Sequence, residues 1–500
     1  MPPKGIVVTM LFESLLNHAK NTPQEIAIQD DTGRFTYQQV AAFAAGLGKY
    51  LPMLTQRSNV GLLLPAGVGF VASFYGTLLA GKSVVPINFL QGEREISHVI
   101  ADSGIDTILT IPFLAGKIKA EGIRIVDITQ LPRPQGDGPI EQNWPAASAK
   151  SADDIAVLMY TSGTSGLPKG VMLSFGNLQS DVDSCIAYVG LERRHKFLGV
   201  IPLFHSFGMT AMMIAPIQLG AGIIYMARFS GHGAVAAIRE HQVSLLFAVP
   251  SMFAAMAHVK NASAEDFKSI YALISGGEPL PGTVREKFTE RFGMPIYEGY
   301  GLTETSPVVA LNTPEINRPG SVGKPVPGVQ VRIVDDDGDD VKPCQSGEVW
   351  LAGPMIMKGY HNLPAETAAV LTSDGFFKTG DLGRVDEDGF LYITGRKKEL
   401  IIVAGEKVSP REVEDTLAQH PGVHEAAVVG KKDLQRGEVV VAFVLAKEGQ
   451  QIRPDELRDF CRTQGLAQFK VPREVFVENE LPRSPTGKVL KRILVERLAS

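Results

Sequence analysis

The sequence predicts an α/β protein with a large N-terminal domain of parallel α/β sheets, a small β subdomain, and a small α+β C-terminal domain. Three observations lead to this fold class. A chain of 500 residues is too long for one compact core. Apolar runs alternate with helical patterns over residues 1–300, which is typical of parallel sheets. Short strands separated by turns follow over residues 320–395, and a mixed α/β pattern follows from Ser409.

The predicted strands of the first part are continuously apolar, as expected for parallel strands that are buried on both faces. Those of the β subdomain are shorter and are separated by turns. In the last part, an amphipathic helix over 410–419 precedes two apolar strands. In chain order, the predicted strands are 60–64, 83–87, 107–110, 197–201, 244–249, 328–334, 347–351, 389–394, 426–430 and 439–445.

Composition argues against several classes of protein. The formal net charge is −5, which disfavours a nucleic-acid partner. Cys185, Cys344 and Cys461 are isolated from one another, so neither a metal clip nor a disulfide framework is indicated, and a reducing, cytoplasmic location fits best. Residues 1–20 lack the pattern of a signal peptide. The acidic cluster 335–340 lacks the glutamate that an EF-hand requires, and we interpret it as a solvated hairpin turn.

Two stretches with almost no charge, 58–81 and 197–227, are long enough to span a bilayer. Proline and glycine interrupt both of them, at Pro65 in the first and at Pro202 and Pro216 in the second. We therefore expect strand–turn–helix segments within a sheet, and no transmembrane span. Peripheral contact with a membrane stays open.

The stretch 160–170 carries the strongest chemical signal, because four Ser and Thr side chains, three glycines and Lys169 follow a buried apolar strand. Glycines let successive amides turn toward one point, and such amides bind phosphate oxygens. The stretch is not a Walker A loop, since Pro168 precedes the lysine and Gly170 follows it. It predicts a nucleoside triphosphate site. The candidate residues are Thr161, Ser162, Gly163, Thr164, Ser165, Gly166 and Lys169.

Further along the chain, the stretch 298–304 offers complementary groups. Tyr300 presents a ring face for base stacking, Thr303 a hydroxyl for the α-phosphate, and Glu304 a hard oxygen ligand for Mg²⁺. The glycines of 275–279 let a flat ring approach the backbone, although a tight turn is an alternative reading. The charged run 395–399 is by itself typical of a solvated face.

Six elements in this order resemble the adenylate-forming (ANL) superfamily, which includes the acyl-CoA synthetases of the AMP-dependent synthetase and ligase family, firefly luciferase and the adenylation domains of peptide synthetases. The elements are 160–170, 275–279, 298–304, 378–381, 395–410 and 481–488, and the resemblance covers roughly residues 10–495. It implies an N-terminal ATP- and acyl-binding domain over 1–395, with the β-rich subdomain at about 320–395. It also implies a mobile C-terminal domain over 396–500, with a hinge near 396–398 at Lys398.

The resemblance also implies roles for individual residues. Lys488, Thr303, Glu304 and His205 would be catalytic, with Glu304 as the metal ligand, and Asp381 would clamp the ribose. Besides the phosphate loop, ATP would contact Gly276, Gly277, Glu278, Glu298, Gly299, Tyr300, Asp381 and Arg396. The acyl group would contact Phe204, His205, Met209, Val249 and Gly301, and CoA would pass Gly405, Glu406 and Lys407. For His205, a structural core histidine is the alternative.

The implied reaction uses ATP, Mg²⁺ and CoA to convert a carboxylic acid to acyl-adenylate and then to acyl-CoA. An amino acid is disfavoured, because 197–227 lacks an aspartate to pair with its amine. The apolar, methionine-rich surroundings favour a medium- or long-chain fatty acid, with an aromatic acid as the second choice. Alternatives are a carrier-protein phosphopantetheine as the acceptor, a binding protein without activity, and a luciferase-like oxygenase. Glu406 places a negative charge near the CoA route, which keeps the carrier-protein alternative open.

Overall fold

The structure, a computed structural model, describes residues 11–131, 150–161, 167–483 and 489–499. A nine-stranded sheet has six parallel strands at its centre and antiparallel strands at both edges. Numbered in chain order, its strands lie side by side as β15 (Lys324–Pro325), β14 (Val308–Leu311), β13 (Ile296–Gly301), β12 (Ala272–Ser275), β11 (Leu245–Ala248), β9 (Lys196–Gly199), β10 (Gly222–Tyr225), β1 (Ile26–Asp30) and β2 (Gly33–Thr36).

A second sheet of seven strands contains five parallel strands and two antiparallel ones at one edge. Its order is β18 (Gly359–Tyr360), β8 (Lys169–Ser174), β7 (Ile155–Thr161), β4 (Ser83–Pro86), β3 (Asn59–Leu63), β5 (Thr107–Thr110) and β6 (Arg124–Asp127). The parallel sheets predicted from the apolar runs are thus confirmed. The antiparallel edges were not predicted.

Helices pack against both sheets and share one apolar core with them. Local sequence sets where several of them begin. Thr36 caps α2 and Ser174 caps α6, each through a reciprocal capping box. The helices are α1 (Leu11–Asn21), α2 (Tyr37–Leu54), α3 (Val68–Leu79), α4 (Glu93–Ser103), α5 (Pro112–Ala115), α6 (Phe175–Val189), α7 (Ser206–Met209), α8 (Ala215–Leu219), α9 (Gly231–His241), α10 (Pro250–Ala257), α11 (Gly282–Phe292) and α12 (Pro364–Val370). A π-helical turn, Thr210–Ile214, joins α7 to α8.

The two stretches of low charge form strand–turn–helix segments, as predicted. The first contains β3 and α3, and the second runs from β9 through α7 and α8 to β10. Within the described ranges, no helix is both long enough and apolar enough to cross a bilayer.

The predicted β subdomain is a four-stranded antiparallel sheet of β16 (Gln330–Val334), β17 (Gly347–Ala352), β19 (Phe377–Val385) and β20 (Leu391–Arg396). The acidic cluster after β16 is a turn, but it is more than a solvated one. Asp336 forms ion pairs with Lys407 and with Lys397, whose Nζ lies 3.7 Å from its carboxylate. A contact over 71 residues of sequence could not be inferred from a local charge pattern.

The C-terminal part has its own sheet and its own apolar core. The predicted amphipathic helix buries Val413 and Leu417. The strands are β21 (Ile401–Val403), β22 (Glu406–Val408), β23 (Val423–Asp433), β24 (Gly437–Ala446) and β25 (Glu474–Glu478), and the helices are α13 (Pro410–Ala418), α14 (Pro454–Thr463) and α15 (Lys491–Ala499). The predicted fold class is confirmed, whereas the boundary at 396–398 stays a prediction.

Candidate active site

A cavity of about 1390 Å³ is lined by residues at or just after the carboxyl ends of parallel strands from both large sheets. This is where open α/β sheets bind ligands, because the loops that follow neighbouring strands converge there. Many residues predicted for the site line this cavity. They are Thr161, Lys169, His205, Val249, Gly276, Gly277, Glu278, Gly299, Tyr300, Gly301, Thr303, Glu304, Arg396 and Lys398.

Other predicted residues lie elsewhere. Ser162, Gly163, Thr164, Ser165, Gly166 and Lys488 fall outside the described residues. Phe204, Met209, Glu298, Asp381, Gly405, Glu406 and Lys407 are described but do not line the cavity. The ring of Phe204 packs edge-on against Phe89, and Met209 is buried in the core, so both lie behind the cavity wall.

The strands on either side of the phosphate loop form an antiparallel pair, with Thr161 opposite Lys169. This pairing places the ammonium group of Lys169 in the cavity. There it forms an ion pair with Glu366 of α12, and it lies 5.3 Å from the centre of the Tyr360 ring. The predicted phosphate cation is therefore held by a carboxylate and an aromatic face.

Thr303 and Glu304 follow β13 and enter the same cavity. The Thr303 Oγ1 lies 3.2 Å from the Ser206 Oγ. The Glu304 Oε1 accepts a hydrogen bond of 2.9 Å from the Tyr360 hydroxyl. In the part of the chain that the structure describes, no cluster of three or more His, Cys, Asp or Glu side chains could hold a metal by itself.

This single carboxylate fits Mg²⁺. The ion usually binds one or two protein carboxylates and completes its shell with water and substrate phosphates. Among the carboxylates that line the cavity, Glu304 shares the contact with Tyr360 that Lys169 also makes, and Lys169 is the predicted phosphate-binding cation. Glu304 would hold the ion, which would supply charge neutralisation at the phosphates.

Asp381 lies just behind the cavity and is 2 % exposed. The Tyr300 hydroxyl donates a hydrogen bond of 2.6 Å to its Oδ2, and the Arg396 Nε lies 2.7 Å from its Oδ1. Burial and the nearby Asp381 carboxylate raise the pKa of the Tyr300 hydroxyl, so it stays a donor. Asp381 thus fixes the two side chains that were predicted to face the base and the ribose.

The glycines after β12 form a tight turn at the cavity, and base binding by this turn stays a prediction. Gly277 has a φ of +81°, which favours glycine, and a Cβ atom at Gly276 would lie 3.2 Å from the Phe207 ring. Glu298 has a different place from the one predicted. Its Oε1 accepts a hydrogen bond of 3.1 Å from the Leu280 amide and burial raises its pKa, so it braces this turn from behind.

His205 lines the cavity next to Phe204, with 4.8 Å between the ring centres. Burial lowers the pKa of its imidazole from 6.5 to about 4. Its Nε2 is buried and has no hydrogen-bond partner among the described residues. The imidazole is therefore neutral at pH 7, and its predicted contact with the substrate carboxylate would be a hydrogen bond without a positive charge.

This pKa shift predicts a pH dependence of stability. The unfolded chain takes up the His205 proton near pH 6.5 and the folded chain only near pH 4. The free energy of unfolding is therefore highest above pH 6.5, where His205 is neutral in both states. It falls by about 3 kcal/mol as the pH drops to about 4. His205→Asn should flatten this part of the curve of unfolding free energy against pH, measured by urea denaturation. The exposed His258, replaced by Asn, is the control, and equal curves for the two variants would contradict the prediction.

Of the residues predicted to border the CoA route, Gly405 ends the two-residue turn between β21 and β22, and Glu406 and Lys407 begin β22. Ala404 and Gly405 both have positive φ, +51° and +88°, which is the conformation of a type I′ hairpin. A Cβ atom at Gly405 would meet nothing within 4 Å, so the turn conformation is what requires glycine here. Glu406 is exposed, and Lys407 pairs with Asp336. The role of this loop in CoA binding stays a prediction.

Sequence reasoning missed several residues of the site, most importantly Tyr360 and Glu366. They follow Thr161 by about two hundred residues, and nothing in their local sequence indicates chemistry. The pairing of β18 with β8, which sets Tyr360 opposite Val171, brings them to Lys169. Ser206 was also missed, although it follows His205 directly.

The fold and the site together define an enzyme that uses a nucleotide to activate a second substrate in an adjoining apolar cavity. The chain matches the family model of AMP-binding enzymes over residues 15–361, and that of the AMP-binding enzyme C-terminal domain over 412–488. It belongs to the family of AMP-binding enzymes. The predicted membership of the adenylate-forming superfamily is confirmed.

Among proteins of known function, the long-chain-fatty-acid–CoA ligase of Bacillus subtilis strain 168 is 35% identical, over 96% of this chain and 93% of the relative. A feruloyl-CoA synthase of an Amycolatopsis species is 33% identical, over 95% of this chain and 96% of the relative.

Solved structures of similar fold include two that contain ATP. ATP-bound MatB of Rhodopseudomonas palustris has a TM-score of 0.88 and 28% identity, over 97% of this chain and 98% of that one. The o-succinylbenzoate-CoA synthetase of Bacillus subtilis with ATP and magnesium has a TM-score of 0.85 and 30% identity, over 97% and 99%. The predicted class, an AMP-forming acid–CoA ligase that uses ATP, Mg²⁺ and CoA, is confirmed.

Proposed function

We propose that this enzyme activates a medium- or long-chain fatty acid and transfers the acyl group to CoA. The observation that carries the choice of acid is the apolar arm of the cavity. The arm is lined by Val182, Cys185, Val189, Leu191, Ala211, Ala215 and Met252. An apolar lining favours an acid whose body is hydrocarbon.

The direction of the arm supports a long substrate. Val182 and Val189 lie seven residues apart on α6, which corresponds to about 10 Å along the helix. The carbonyl of Val189 accepts a hydrogen bond of 3.0 Å from Tyr271, the residue that immediately precedes β12. Ser275, at the other end of β12, lines the cavity near the predicted base-binding turn. Residues that line the cavity thus occur along two turns of α6 and at the carboxyl end of β12, which supports a substrate longer than one aromatic ring.

Two half-reactions follow. In the first, a carboxylate oxygen of the acid attacks the α-phosphorus of ATP, the bond to the β-phosphate oxygen breaks, and pyrophosphate leaves. Lys169 would hold the phosphates, Thr303 the α-phosphate, and Lys488 the developing charge. In the second, the CoA sulfur attacks the acyl carbon after the thiol has lost its proton to solvent, and AMP leaves. The protein's contribution to both steps is mostly positioning and electrostatic stabilisation.

The runner-up is an aryl-CoA ligase, because a relative of equal coverage is a feruloyl-CoA synthase. A carrier-protein thiol is the alternative acceptor. Pyrophosphate release with Mg-ATP, measured across fatty acids of graded length and benzoate-type acids, with and without CoA, separates these possibilities. CoA-dependent turnover that peaks on one chain length supports the proposal. A peak on aromatic acids overturns the choice of acid, and a single burst that CoA does not affect overturns the choice of acceptor.

Filling the far end of the arm should shorten the accepted acid. Val189 lines the cavity, and its carbonyl accepts a hydrogen bond from Tyr271. Val189→Phe adds bulk there, so the longest acids should lose at least about 10-fold in kcat/KM while short acids are unchanged. This magnitude follows because one methylene in a pocket changes kcat/KM by about 10- to 200-fold. The measurement is kcat/KM from hexanoate to stearate.

Val189→Ala is the matched control, because it changes the same site in the opposite direction and should retain the longest acids. A uniform loss of kcat/KM across all chain lengths in Val189→Phe, in a protein of unchanged thermal stability, would show that the acyl chain does not reach this residue.

A further inference from the structure

Tyr360 stands between the two charged groups that were predicted to handle the phosphates of ATP. Its hydroxyl donates a hydrogen bond of 2.9 Å to the Glu304 Oε1. The face of its ring lies 5.3 Å from the Lys169 Nζ, within the range of a cation–π contact. One side chain thus contacts both the carboxylate that would bind the metal and the ammonium that would bind the phosphates.

The backbone around Tyr360 is fixed to both partners. Its strand pairs with β8, the strand that begins at Lys169, and the His361 amide donates a hydrogen bond of 2.7 Å to the Gly170 carbonyl. On the other side, the Met357 amide donates one of 2.9 Å to the carbonyl of Glu304. The amide of Tyr360 itself donates one of 2.9 Å to the Thr367 hydroxyl of α12. These contacts leave the ring little freedom to turn away from Glu304.

The Tyr360 hydroxyl engages one of the two carboxylate oxygens of Glu304. The Tyr360 hydroxyl is a donor, and the Glu304 carboxylate can only accept, so the hydrogen bond between them has one direction. Only one oxygen of Glu304 is engaged, and in the described part of the chain Oε2 has no hydrogen-bond partner. A donor fixed on one carboxylate oxygen leaves the other available for a cation, as groups around metal ligands commonly do.

We propose that Tyr360 is a positioning residue that orients Glu304 for Mg²⁺ and holds Lys169 for the triphosphate. This inference rests on the proposed use of Mg-ATP. The hydroxyl acts through Glu304 and the ring acts through Lys169, so the two functions can be removed separately. Tyr360→Phe removes only the hydroxyl, and Tyr360→Leu removes the ring as well.

The test measures binding of Mn²⁺, a spectroscopic probe for Mg²⁺, by electron paramagnetic resonance in the presence of α,β-methylene-ATP. Tyr360→Phe should weaken Mn²⁺ binding about 10-fold, the lower end of the usual cost of losing a group that orients a metal ligand. Binding of the ATP analogue without metal should be unchanged in Tyr360→Phe and reduced in Tyr360→Leu. Saturating Mg²⁺ should restore turnover in Tyr360→Phe.

Tyr392→Phe is the matched control, because its hydroxyl also donates to a carboxylate, Asp386 Oδ2 at 3.1 Å, away from the cavity. It should bind Mn²⁺ as the wild type does. The double variant Tyr360→Phe with Glu304→Gln should lose no more than Glu304→Gln alone, since the hydroxyl works through that carboxylate.

Equal Mn²⁺ binding by the wild type and Tyr360→Phe would overturn the inference, and so would fully additive losses in the double variant. If the wild type itself does not bind Mn²⁺ together with the ATP analogue, the result contradicts the proposed function and not only the role of Tyr360. The two failures are therefore distinguishable.

Discussion

Asp381→Asn should weaken ATP binding about 100-fold. The carboxylate holds Tyr300 by a hydrogen bond of 2.6 Å and Arg396 by an ion pair of 2.7 Å, and both partners line the cavity. The Arg396 guanidinium can only donate, so the amide oxygen of an asparagine must face it. The amide NH₂ then faces the Tyr300 hydroxyl, which can no longer donate there. The two side chains that were predicted to contact ATP lose their orientation, and the predicted ribose clamp loses its charge. Each hydrogen bond to a charged group contributes about 1.5–3 kcal/mol.

The folded state should also be destabilised, by about 2 kcal/mol. The Asp381 side chain is almost completely buried, but Arg396 is 36% exposed, so solvent screens part of the loss. Asp386→Asn is a close control, because Asp386 likewise pairs with one arginine, Arg318 at 2.7 Å, and one tyrosine, Tyr392 at 3.1 Å, outside the cavity.

Calorimetric titration with ATP and urea denaturation separate the two effects. Both variants should lose stability, and only Asp381→Asn should lose ATP affinity. If Asp386→Asn weakens ATP binding as much as Asp381→Asn does, then the loss reflects general destabilisation of the β subdomain, and Asp381 has no particular role at the nucleotide.

Part of the fold could be predicted from local sequence patterns. The parallel strands were predictable because strands that are buried on both faces must be apolar throughout, as β11 is. The apolar strand before the phosphate loop was predictable in the same way and is β7, whereas the role of the loop itself stays a prediction. Local patterns with a single physical explanation could thus be read directly.

Contacts made by tertiary pairing could not be read in this way. Tyr360 meets Glu304 only because β18 joins the antiparallel edge of the second sheet, and no pattern marked that edge. Asp336 meets Lys407 across two different sheets. Glu298 belongs to the same motif as Tyr300, but the motif does not say which side chain faces the cavity and which binds the Leu280 amide behind it.

Lys488→Ala should separate the two half-reactions, with adenylation about 100- to 1000-fold slower, the usual cost of losing one group that stabilises transition-state charge. Lys488 lies outside the described residues, but the residues on either side of that segment, Arg483 and Val489, pair as a β-bridge. The proposed role of Lys488 is to stabilise the charge that develops in the first half-reaction, while the carboxylate attacks the α-phosphorus. Thioester formation from a supplied acyl-adenylate needs no charge at that position and should keep the wild-type rate.

The measurements are pyrophosphate release from Mg-ATP and thioester formation from CoA and synthetic acyl-adenylate. Lys491→Ala is the matched control, because this lysine lies three residues further on and its ammonium is engaged by Glu414 at 2.7 Å and Glu399 at 3.4 Å. It should retain both half-reactions. If Lys488→Ala slows both steps equally in a folded protein, then the lysine serves the site as a whole, and its proposed restriction to the first half-reaction is wrong.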